Sequence, residues 1–127
     1  MRAYLQRLVD VVSSWDGIET SPHRFGGVGF ILSGVEIGHV HIDRGLADIP
    51  FSRRTRSALV AEKEADEHHV LPQSGWISHW MSNEHDVSQA LRLFRLSYAV
   101  KRYRHDHDLA TLQTELAQLH FSQRVSS

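Results

Sequence analysis

Apolar residues recur every three to four positions over residues 2–13, where Leu5, Leu8, Val9 and Val12 form a stripe and Arg2, Gln6, Arg7 and Asp10 turn away from it. This pattern predicts a first helix that stops near Ser13-Ser14, because Trp15-Asp16-Gly17 supplies a turn. Ile18–Thr20 follows as a short strand ahead of Pro22. The segment from Arg24 to Leu32 is apolar and β-branched, although Gly26, Gly27 and Gly29 weaken a regular ladder and suggest a bulge or a close approach. Ser33-Gly34 then turns the chain into residues 35–43, which predicts an antiparallel hairpin whose register is left open. Strand alternation puts His39 and His41 on one face, about 7 Å apart along the strand, with Val40 and Ile42 on the other.

After Arg44-Gly45 a loop carries Asp48, and Ser52 caps a helix over 53–64. The acidic run at 62–67 reads as a solvated exit from that helix. His68-His69-Val70-Leu71-Pro72 is extended, with the adjacent histidines on opposite faces, and Gln73-Ser74-Gly75 turns. Trp76–Met81 is strand-like, with Trp76, Ser78 and Trp80 on one side and Ile77, His79 and Met81 on the other. Asp86 is placed to cap the longest amphipathic helix, over 87–104. A C-terminal helical segment over 107–120 repeats Leu109, Leu112, Leu116 and Leu119 and frays from Ser122. The order of elements implies an α+β, two-layer domain spanning 1–127. Its antiparallel sheet of about four to five strands packs against helices at both chain ends, and alternating βαβ units are missing.

Composition narrows the chemistry. The chain has 127 residues and no cysteine, so thiolate ligands and a cysteine nucleophile are excluded and a metal would need His, Asp or Glu. A balance of 14 basic against 15 acidic residues gives no overall attraction to nucleic acid or anionic lipid. No 18-residue apolar run or secretory leader is visible, so a soluble, cytoplasmic protein without a membrane association is the expectation. Ten histidines are the compositional oddity.

Trp15-Asp16-Gly17-Ile18, Pro22-His23-Arg24-Phe25-Gly26-Gly27, Glu36-Ile37-Gly38-His39-Val40-His41, Asp48-Ile49-Pro50-Phe51, Arg56, Leu59-Val60, His68-His69-Val70-Leu71-Pro72, Ser74-Gly75-Trp76 and Leu96-Ser97-Tyr98 follow one another in an order that resembles the luciferase-domain family over about residues 15–103. The resemblance implies a single α+β domain and brings no assigned substrate, cofactor or catalytic residue. Two positions depart from the family pattern: Glu64 stands where a small residue is expected, and His79-Trp80 makes an unusual aromatic strand end. The layout is also similar in architecture to YjbR-type double-wing domains.

Three functional readings follow. In the first, Arg24, His39, His41, Asp48, His68, His69 and Trp76 line a small-molecule pocket for an anionic or aromatic ligand, with His39, His41 or His69 as general acid or base. In the second, His39, His41 and His69, with Asp48 or Asp43, hold a divalent metal for hydrolysis. In the third, the protein is a non-enzymatic interaction module. Its helix carrying Arg92, Arg95, Lys101, Arg102 and Arg104 and its C-terminal leucine stripe would then contact a partner or a second copy. Against all three stands a plain structural account, in which Arg24 pairs with Asp48 or Glu36, the histidines bond carbonyls and Trp76 packs in the core. Nucleic-acid binding is unexpected, because the basic cluster lies at a helix C-terminus that favours positive charge anyway. Gly26-Gly27-Val28-Gly29 lacks the Lys-Ser or Lys-Thr of a phosphate loop, and Ser74-Gly75 lacks the flanks of a nucleophile elbow.

Overall fold

In the computed structural model, which describes residues 1–126, the N-terminal stripe forms α1 (Ala3–Ser13) and buries Leu5, Leu8 and Val12. It is followed by β1 (Ile18–His23), a single 3-10 turn (Arg24–Gly26), β2 (Gly27–Leu32), β3 (Val35–His41), β4 (Leu46–Pro50) and α2 (Arg53–Ala61). The remainder is β5 (Asp66–Glu67), β6 (Trp76–Trp80), α3 (Glu84–Asp106), α4 (Leu109–Leu119) and α5 (Gln123–Ser126). The strands form one antiparallel sheet in the order β1-β2-β3-β4-β6-β5. An α+β antiparallel architecture with helices at both ends is therefore present, with six strands rather than four to five.

One face of the sheet makes the core. Phe30, Ile37, Val40, Ala47, Ile49 and Ile77 pack there against α1 and against Val87, Ala90, Leu93 and Phe94 of α3. Gly38 has φ +150°, and a Cβ on it would lie 2.5 Å from the Phe94 ring, so only glycine lets α3 approach β3 this closely. Ser97 donates to the Ile37 carbonyl at 2.8 Å and accepts from Lys101 Nζ at 2.9 Å, which ties α3 to the sheet at its buried centre.

Several expectations are corrected here. Asp48 lies in β4, not in a loop, because Leu46–Pro50 is hydrogen-bonded on both sides, to β3 and to β6. β1 runs past Thr20 to His23, since Pro22 is tolerated on an edge strand. Arg24–Gly26 is a 3-10 turn, so β2 begins only at Gly27. Helix α2 stops at Ala61 rather than 64. Lys63 takes φ +59°, its N–H bonds Val60 O, and the Glu64 N–H bonds Leu59 O, closing the helix in a Schellman motif. Asp66–Glu67, expected as solvated exit, adds a short strand to β6. Asn83, not Asp86, caps α3, while Asp86 accepts from the Ser82 N–H and hydroxyl. The tail does not fray at Ser122: α5 follows and buries Val125. Four of the five basic residues expected on α3 are engaged within the chain. Arg95 and Arg102 pair with the buried Glu115 of α4, Arg92 with Glu64, and Lys101 with the Pro50 carbonyl.

Candidate functional site

The opposite face of the sheet carries the chemistry. The ladder places Gly29, His39, Asp48 and Ser78 in one lateral row across β2, β3, β4 and β6, with outward side chains. A bulge at Phe30/Ile31 leaves Ile37 unpaired, so that Glu36 opposes Ile31 and shares the outer face with His39 three residues later. Strict alternation would have turned Glu36 into the core. Gly29 lies beside it, where a Cβ would stand 3.8 Å from Glu36 Oε1 in ordinary van der Waals contact.

Asp48, only 1% exposed, is the hub. Its Oδ1 accepts from Ser78 Oγ at 2.8 Å, while Oδ2 faces Nε2 of His41 at 2.9 Å, of His69 at 3.1 Å and of His39 at 3.3 Å. Burial works against its ionisation, but the donors His39, Ser78, His41 and His69 outweigh burial and hold the carboxyl well below its usual range. His39 also donates Nδ1–H to Glu36 at 3.0 Å. Burial opposes its charge too, yet the Asp48 and Glu36 carboxylates raise its pKa to about 9. The His23 ring stacks on His39 at 3.9 Å with 16° between planes. Burial, followed by the charge of His39, pushes the His23 pKa down, and His23 Nδ1 is buried without a partner.

His68 and His69 do not point apart. The His68 Nδ1 accepts the N–H groups of Val70 at 3.2 Å and Leu71 at 2.9 Å, folding the chain into a turn that brings both rings to Asp48. Those two bonds require the lone pair on Nδ1, so the His68 proton sits on Nε2, 3.6 Å from Asp48 Oδ1. Burial lowers the His68 pKa. For His41 and His69, the bond of Nε2 to Asp48 favours the proton there, but Nδ1 of neither ring has a hydrogen bond to any described residue, so the tautomer is not locked as it is in His68.

These rings floor a cleft of about 640 Å³ whose walls include Arg24, Trp76, Val70 and Leu71, with Asp43 and Arg44 at its edge. The Trp76 ring lies 5.3 Å from that of His39. Every residue of the pocket expectation, Arg24, His39, His41, Asp48, His68, His69 and Trp76, lines it. Among the described residues Arg24 makes no ion pair with Asp48 or Glu36. Of the expected metal set, His39 and His41 join Asp48 in a group whose ligand atoms all lie within 4.8 Å, whereas His69 groups with Asp48 and His68. His23, Glu36 and Ser78 escape sequence reasoning as site residues. For Ser78 a signal existed, since alternation puts it beside Trp76.

The fold and cleft define a small α+β domain built on an antiparallel sheet, with its polar chemistry gathered on the face opposite the core. A family model described as Luciferase domain matches residues 34–97, 64 of the 127 residues and so half of the chain, and the protein belongs to that family. The matched span contains Glu36, Ser78 and every residue that lines the cleft except His23 and Arg24. No curated protein and no solved structure matches the chain. No helix among the described residues is long and apolar enough to cross a membrane.

Proposed function

We propose that the cleft binds a small molecule and performs general acid–base chemistry on it, with His69 as the proton-transferring group and Asp48 as the carboxylate that orients it. The observation that carries this reading is the bond of His69 Nε2 to a buried Asp48 at 3.1 Å, on a ring that is 20% exposed at its side chain. A carboxylate behind one imidazole nitrogen fixes the tautomer and stabilises the charge that appears when the other nitrogen takes a proton. His41 makes the same bond from β3 and is a second ring able to relay a proton. Trp76 supplies a flat wall and Arg24 a fork of donors for a polar group on the ligand. A volume of about 640 Å³ fits a ligand of drug-like size.

The test is an NMR screen of aromatic fragments, read on the imidazole signals of His41 and His69 and the indole signal of Trp76. Fragments that perturb all three, and whose affinity falls about tenfold in Trp76→Ala, support the cleft as the binding site. Hydrolysis of 4-nitrophenyl acetate reports the base: it should exceed that of free imidazole at equal concentration and fall roughly 100-fold in His69→Gln. Fragments that bind elsewhere, or hydrolysis indifferent to His69→Gln, refute the reading.

A further inference from the structure

We infer that His39 Nε2, His41 Nε2 and one carboxylate oxygen of Asp48 form a binding site for a divalent first-row transition-metal ion, with the remaining coordination positions open to the cleft. The site shares Asp48 with the proposed acid–base pair but does not depend on it.

Rigid elements position all three ligands. His39 and His41 are alternate residues of β3, and Asp48 is the cross-strand partner of His39 in β4. The two nitrogens stand 3.3 and 2.9 Å from Asp48 Oδ2. Metal bonds of about 2.0–2.2 Å give ligand–ligand edges of about 3.0 Å at right angles and about 3.4 Å at the tetrahedral angle, so both nitrogen–oxygen spacings match edges of a coordination polyhedron, and all three ligand atoms lie within 4.8 Å of one another. Behind His39, the Glu36 carboxylate accepts Nδ1–H at 3.0 Å, the outer-shell arrangement that turns the Nε2 lone pair toward a metal. Charge points the same way. Ionised Asp48 and Glu36 bring two negative charges to a mostly buried place, which one dication neutralises and one added proton does not.

The neighbouring trio of Asp48, His68 and His69 is a poorer candidate. The Nδ1 of His68 is committed to two backbone N–H groups, so its Nε2 keeps a proton and has no lone pair for a metal. That leaves this trio only His69 and Asp48 as ligands, one fewer than His39, His41 and Asp48 supply. Two imidazoles and one carboxylate suit zinc, iron(II), cobalt(II), nickel(II) or manganese(II) better than calcium or magnesium.

Tag-free protein stripped with a chelator is titrated with Co²⁺, followed by visible absorption, and with Zn²⁺ by calorimetry. The expected result is one ion per chain, with ligand-field bands of a nitrogen- and oxygen-ligated cobalt. His41→Ala should weaken binding by at least about 100-fold and Glu36→Gln by about 10- to 100-fold, while His85→Ala, outside the cleft, leaves it unchanged. Circular dichroism of Glu36→Gln matching the parent confirms that the variant is folded. Failure to bind one equivalent, or binding that neither His41→Ala nor Glu36→Gln weakens, overturns the inference. The same stripped protein goes through the fragment screen. Fragments that still perturb His69 leave the acid–base reading standing when the metal site fails, and metal binding without fragment binding does the reverse.

Discussion

Replacing Asp48 by asparagine isolates the carboxylate on which the cleft is built. The side chain keeps its size but loses its charge, and its new NH₂ group faces either the Ser78 hydroxyl or the imidazole nitrogens of His41, His69 and His39. Hydrogen bonds to a charged group contribute about 1.5–3 kcal/mol each, and they do not add when several converge on one atom. Removing one partner of a buried ion pair costs about 3–5 kcal/mol, because the charge left behind, here on His39, lacks its counterpart. The expected loss for Asp48→Asn is therefore about 3–5 kcal/mol. With a urea dependence of roughly 1.5 kcal/mol per molar for a domain of this size, the midpoint falls by roughly 2–3 M. The assay is urea unfolding of chelator-treated protein, followed by tryptophan fluorescence and by circular dichroism so that coincidence of the two curves checks two-state behaviour. His39→Gln in the Asp48→Asn background should recover part of the loss, since it removes the stranded cation. A loss below about 1 kcal/mol, or strict additivity of the two substitutions, would refute the account of Asp48 as a buried carboxylate matched by its imidazole donors.

Gly38→Ala should destabilise the domain by about 3 kcal/mol and lower the melting temperature by roughly 10 °C, because the new methyl meets the Phe94 ring at 2.5 Å in a backbone conformation that L-residues avoid. Gly29→Ala, whose nearest neighbour would be 3.6 Å away, should cost less than about 1 kcal/mol by the same measurement. Ser97→Ala should cost about 1–3 kcal/mol in urea unfolding, since the Ile37 carbonyl and Lys101 each lose a partner in a buried place. Burial lowers the Lys101 pKa from 10.5 to about 8, so between these values the unfolded chain binds more protons than the folded one and stability rises with pH. Lys101→Met should abolish that rise, at most about 3 kcal/mol across the window, and a parent and variant with parallel pH profiles would show that Lys101 is not the group responsible.

Much of the site is written in local periodicity, and the rest depends on partners distant in sequence. His39 and His41 share a face because a strand repeats every two residues, and the hairpin that presents them needs only Ser33-Gly34. The helix over 84–106 is equally plain from its apolar spacing. Asp48 escapes as a strand residue because Leu-Ala-Asp-Ile-Pro is short, bears a charge and ends in proline. Pairing on both sides, with β3 and with a β6 some thirty residues away, makes it a strand. His23 is obscured by Pro22, which breaks a central strand but not an edge. The convergence of His68 and His69 arises from a turn closed by the first ring itself, a conformation that neither alternation nor the following proline specifies.

The single unpaired residue in β3 makes Glu36 hostage to a count rather than to a chemical preference. An unbroken two-residue repeat at this length would swing the glutamate inward and leave His39 without its second carboxylate, whereas deleting Ile37 would keep Glu36 outward, two residues before His39, and take a side chain out of the core. The extra residue thus gives the core one more side chain, Ile37, without taking Glu36 from the outer face.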